Sequence, residues 1–134
     1  MELNLNLVFQ LPVKPKRVMQ LLTDTVLIRK WSGGEAKLEL EPNGAFEMFD
    51  GWVTGKVIKV SENELSYTWK TTDWDDNAKD SIVSYKLTPF DGGTKVQVSH
   101  SGFPNEDEMK AHEAGWSDYF FDPLEDYIMV FDRP

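Results

Sequence analysis

Leu3, Leu5, Leu7 and Phe9 alternate with Asn4, Asn6 and Val8, the period-two pattern of a strand with one buried face. Pro12 and Pro15 end it, and from Pro15 the apolar residues Val18, Leu21 and Leu22 recur at helical spacing, which predicts a short helix closing near Asp24. A second short helix is predicted from Thr25 to Trp31, where Val26, Leu27, Ile28 and Trp31 crowd together before the terminating pair Gly33-Gly34. The pattern then returns to alternation. Ala36, Leu38 and Leu40; Phe46 and Met48; Trp52 to Val60; Leu65, Tyr67 and Trp69; Val83, Tyr85 and Leu87; and Val96, Val98 and His100 read as six strands. Turn formers separate them: Pro42-Asn43-Gly44, Asp50-Gly51, Ser61-Glu62-Asn63, Thr72 to Lys79 and Asp91-Gly92-Gly93. Short connections of this kind predict an antiparallel meander.

After Phe103-Pro104 the spacing becomes helical again. Asn105 is placed as an N-cap, with Glu108 three residues later as in a capping box and Glu106 and Asp107 near the positive end of the helix dipole. Met109, His112, Trp116, Phe120, Leu124, Tyr127 and Phe131 follow in steps of three or four as one apolar stripe predicted to face the sheet. Pro123 cannot donate to the Tyr119 carbonyl, so a kink or a break is expected there.

Composition narrows the possibilities. The 134 residues fit one domain over 1–134, and 40% hydrophobic content with 13% aromatics is enough for a packed core. A formal charge of −9 argues against nucleic acid and anionic membrane surfaces as partners. The absence of cysteine excludes disulfides, thiolate nucleophiles and Cys-ligated zinc. Met1 to Gln10 lacks the form of a signal peptide, and no apolar run is long enough to insert in a membrane, so a cytoplasmic protein is expected.

Several local strings then resemble the activator-of-heat-shock-protein-90-ATPase homologue family of the START-like superfamily. They are Pro15 with Val18, Lys30-Trp31, Gly51 with Gly55 and Val57, Thr68-Trp69, Gly93-Thr94 leading into Val96 to Ser101, and Gly115-Trp116. In their order they cover nearly the whole chain. The resemblance implies an α+β, START-like helix-grip fold of order β-α-α-β6-α, in which an antiparallel sheet wraps around a long C-terminal helix and leaves a cavity. The chain is expected to carry only this START-like unit, without the separate N-terminal domain by which eukaryotic members engage the chaperone. That is the form of single-domain bacterial members, for which a small hydrophobic ligand is the usual expectation.

Candidate chemistry follows from the residues that parity and the helix stripe direct inward. Phe46, Trp69, Tyr85, His100, Trp116 and Phe120 are the expected ligand-binding set, with apolar burial supplying affinity and His100 or a Tyr hydroxyl fixing orientation. Ordinary core packing is the competing reading for each of them. His100 and His112 could relay protons or share a metal, or simply be one buried hydrogen-bonded histidine and one partly exposed. No zinc-ligand spacing accompanies them, so neither metal nor cofactor is expected. Asp73, Asp75 and Asp76 around Trp74 read as a solvated loop rather than a catalytic pair. Ser99 and Ser101 leave the strand on the side opposite His100, and no nucleophile elbow is present. A non-enzymatic carrier of a small hydrophobic molecule is the first expectation. A surface regulator of a chaperone is the second, and a cyclase or hydrolase using His100 or Tyr85 the third. The sequence does not set the oligomeric state.

Overall fold

The computed structural model describes residues 3–132. Met1 and Glu2, which open the alternating segment, and Arg133 and Pro134, which close the domain expected over 1–134, lie outside the described residues. The elements are β1 (Asn4–Leu11), α1 (Pro15–Thr23), α2 (Thr25–Ser32), β2 (Lys37–Leu38), β3 (Ala45–Met48), β4 (Val53–Val60), β5 (Glu64–Thr71), β6 (Ser81–Phe90), β7 (Gly93–Ser101) and α3 (Glu106–Gly115). A π-helical segment (Trp116–Phe121) then leads directly into α4 (Asp122–Phe131). This is the expected β-α-α-β6-α order.

Among the described residues the strands form a seven-stranded sheet in the order β1-β7-β6-β5-β4-β3-β2, with every neighbouring pair antiparallel. The register follows the pleat. Leu65, Tyr67 and Trp69 on β5, Val83, Tyr85 and Leu87 on β6, and Val96, Val98 and His100 on β7 are all buried on one side. Gly55 lets β4 and β5 approach closely: a Cβ there would sit 1.9 Å from the Thr68 carbonyl oxygen. The register of this pair shifts between Val57 and Lys59. Leu40, expected to continue a strand, lies beyond β2 and is exposed.

The helix ends carry the caps expected at Asn105 and Gly33, and a further one at Asp24. The Asp24 carboxylate accepts from the Val26 and Leu27 amides at 2.9 and 3.3 Å, and the Asn105 side chain accepts from the Glu108 amide at 2.9 Å. Gly33, with φ of 79°, closes α2. At the other end of the chain, Arg17 on α1 makes a bidentate pair with Asp132, Nε to Oδ2 at 2.5 Å and Nη2 to Oδ1 at 2.9 Å.

The C-terminal stripe needs correction in its second half. Met109 is half-buried and His112, Trp116, Phe120 and Leu124 are buried as expected, but Phe131 is 71% exposed and Ile128 takes the interior position. The cause is the π-helical segment, in which the Asp122 amide donates to the carbonyl of Ser117, five residues back. Its wider turn brings Phe121 as well as Phe120 to the core, and the interior positions after it are Leu124 and Ile128 rather than Leu124 and Phe131. The break expected at Pro123 is therefore a change of helical register just before the residue that has no N–H to donate.

Candidate functional site

The inner face of β5, β6 and β7 meets α3 and the π-helical segment through a series of aromatic and imidazole rings. Their polar atoms are paired in a definite direction. An indole nitrogen can only donate, so the Trp116 Nε1 contact to His100 Nδ1 at 3.1 Å makes Nδ1 an acceptor. Neutral His100 then carries its proton on Nε2, which donates to Ser81 Oγ at 2.8 Å, and that hydroxyl donates to the Trp69 carbonyl at 2.6 Å. His112 is held in the opposite tautomer. Trp69 Nε1 donates to its Nε2 at 3.2 Å, and its Nδ1 donates to the Glu108 carbonyl at 2.9 Å. Burial, then the neighbouring His112, lowers the pKa of His100 to about 3, and burial likewise lowers that of His112.

Deeper in the core, the Tyr67 and Tyr85 hydroxyls lie 2.5 Å apart. Burial raises the pKa of both. Phe46 stacks on Tyr67 with ring centroids 3.8 Å apart. Trp74 corrects the reading of its segment as a purely hydrophilic loop. Asp73, Asp75 and Asp76 are exposed, but Trp74 is 5% exposed and packs against Phe103 and His112.

An open cavity of about 370 Å³ lies between the ends of β3, β4 and β5 and the start of the C-terminal helix. Phe49, Trp52, Trp69, Trp116, Tyr119 and Phe120 supply its aromatic walls, His112 and Gly115 part of its helical side, and Asp73 and Glu108 its charge. Of the expected ligand-binding set, Trp69, Trp116 and Phe120 are on this wall. Phe46, Tyr85 and His100 are almost fully buried and do not line it. Trp52 and Asp73 come together because β4 and β5 pair antiparallel, Val53 opposite Thr71, so the residues just beyond the ladder meet. Trp52 Nε1 donates to Asp73 Oδ2 at 2.7 Å and its backbone carbonyl accepts from the Thr72 amide at 2.9 Å. Strand parity within a single segment carries no signal for such a contact between segment ends.

Both nitrogens of His100 are engaged and the Tyr85 hydroxyl is bonded to Tyr67, so neither offers a free acid or base to the cavity. Among the described residues no group of three or more His, Asp or Glu side chains could hold a metal ion. No helix among them is long and apolar enough to cross a membrane.

A sheet gripping a C-terminal helix around such a cavity defines an α+β START-like domain. The family model described as "Activator of Hsp90 ATPase homolog 1-like protein" matches residues 12–129, and the chain belongs to that family. It is similar to the mouse "Activator of 90 kDa heat shock protein ATPase homolog 2", 29% identical over 98 residues, which are 71% of this chain and 29% of the relative. It is also similar to the mouse "Activator of 90 kDa heat shock protein ATPase homolog 1", 27% identical over 113 residues, or 82% of this chain and 32% of the relative. The chain thus matches about a third of the length of these curated relatives. Among solved structures, a Mesorhizobium loti protein superposes with a TM-score of 0.82 at 26% identity, covering 96% of this chain and 98% of that one. An HSP90 activator from Plasmodium falciparum gives the same TM-score at 20% identity, with 98% and 97% covered.

Proposed function

We propose that this chain is a binding domain that holds a small apolar molecule in the cavity between the sheet edge and the C-terminal helix. The observation that carries the reading is the aromatic lining of a cavity of about 370 Å³ that the chain's own side chains leave unfilled. Phe49, Trp52 and Tyr119 form its outer walls, while Trp69, Trp116 and Phe120 are the inner wall and double as core. Affinity then comes from apolar burial at roughly 25 cal/mol per Å². The test is calorimetric titration of an apolar probe into the wild type and into Ala111→Trp, which places an indole in the cavity from an exposed helical position without removing a core contact. Binding should weaken at least about tenfold in the variant. Absence of any binding by the wild type at high micromolar probe would sink the carrier reading.

A second reading, contact with a heat-shock chaperone, is favoured by the names of the curated relatives. Such contact would use the surface rather than the cavity. Its measure is ATP turnover by the chaperone with and without a saturating amount of this chain; an unchanged rate removes it.

A further inference from the structure

The polar groups around the cavity are unequally supplied with donors and acceptors. Trp52, Trp69 and Trp116 all line it, yet each indole N–H is already spent on a protein acceptor: Asp73 at 2.7 Å, His112 at 3.2 Å and His100 at 3.1 Å. His112 adds no donor, because its Nδ1–H goes to the Glu108 carbonyl and its other nitrogen is an acceptor occupied by Trp69. The two ionised groups of the lining, Asp73 and Glu108, are acceptors only, and no Lys or Arg is among the lining residues. A ligand carboxylate or phosphate would meet two negative charges and, among the lining side chains, only the exposed Tyr119 hydroxyl as an uncommitted donor. A ligand cation would meet carboxylates and the faces of several aromatic rings.

Resting on the carrier reading above, we propose that the cavity selects an apolar organic cation, an aliphatic or aromatic body bearing a protonated amine or quaternary ammonium group. The body fills the aromatic trough, and the head lies toward Asp73 and Glu108 at the mouth. The formal charge of −9 over the chain raises the local concentration of such ligands and lowers that of fatty acids and phosphorylated molecules.

The test uses probes matched in chain length and differing in the head group, decyltrimethylammonium, decanol and decanoate, each below its micelle concentration. They are titrated by calorimetry into the wild type, Asp73→Asn, Glu108→Gln and the double variant. Both substitutions are near-isosteric, and Asn keeps an acceptor for Trp52. The cation should bind about tenfold more tightly than the alcohol, with decanoate weakest. Each single variant should reduce the preference by about threefold, and the double variant should abolish it while leaving decanol affinity unchanged, which also reports that the cavity is intact. Glu62→Gln, an exposed carboxylate outside the lining, controls for net charge and should leave the preference in place. Equal binding of cation and alcohol, or tighter binding of decanoate, overturns the cation assignment and leaves the carrier reading standing. A preference that survives the double variant overturns the roles of Asp73 and Glu108. Failure of all three probes to bind the wild type overturns both readings together.

Discussion

At the scale of single residues, the most constrained groups are the two histidines, each fixed in one tautomer by a tryptophan. The fold holds His100 neutral, with a pKa near 3, whereas an unfolded imidazole titrates near 6.5. The unfolded chain therefore binds a proton that the native state refuses, and the stability from His100 is fully present above about 6.5 and drains away as the pH falls toward about 3. Between pH 7 and pH 5 this amounts to about 2 kcal/mol. Urea unfolding of wild type and His100→Gln at both values isolates it, since His112 and the carboxylates are common to both chains. The advantage of the wild type should shrink by roughly that amount on acidification; parallel profiles would show that His100 is not held neutral. The sequence placed His100 on an inward face, but its partners Ser81 and Trp116 are 19 and 16 residues away in the chain, and only the fold joins them.

At the scale of elements, the C-terminal helix shows how local geometry redirects a sequence pattern. Three-four spacing alone points Phe131 inward and gives Phe121 no special place. The π-helical segment inverts both: Phe121 is 2% exposed and stacks on Phe9 with centroids 3.9 Å apart, while Phe131 is 71% exposed. Phe121→Ala should thus cost about 3–5 kcal/mol, and Phe131→Ala less than about 0.5 kcal/mol. Chemical denaturation distinguishes the two. Similar losses for both variants would mean that the helix keeps its α-helical phase through Pro123.

At the scale of the whole molecule, the sheet closes in sequence order except at one place, where β1 joins β7 rather than β2. That pairing, Asn4 opposite Ser101 through Leu11 opposite Thr94, brings the start of the chain beside its last strand, under the C-terminal helix. The Phe9 and Phe121 stack then ties β1 to the junction of the π-helix and α4, and the Arg17–Asp132 pair ties α1 to the residue just past α4. The net negative charge gives the molecule as a whole a field that favours cationic partners, and the two acidic groups at the cavity mouth have the same sign.

Period-two and period-three-four patterns determined the strands, the helices, their order and most of the buried face, because each is set by neighbours within a few residues. The cap at Asn105 was equally legible, since a helix end is satisfied by side chains close to it in sequence, whereas Asp24 read only as the end of the first helix and also caps the second. Tertiary structure decided which inward-facing aromatics became core and which became cavity wall. Phe46, Tyr85 and His100 share the parity of Trp69, yet they lie beneath neighbouring side chains while Trp69 borders open space. It also decided that Asp73 and Trp52 meet, that Trp74 is buried in an otherwise exposed acidic loop, and that a register change shifts the last turns of the helix. Alternation tells a residue which side of the sheet it is on; what covers it there depends on segments far away in the chain, and that distance is where the sequence pattern stops being informative.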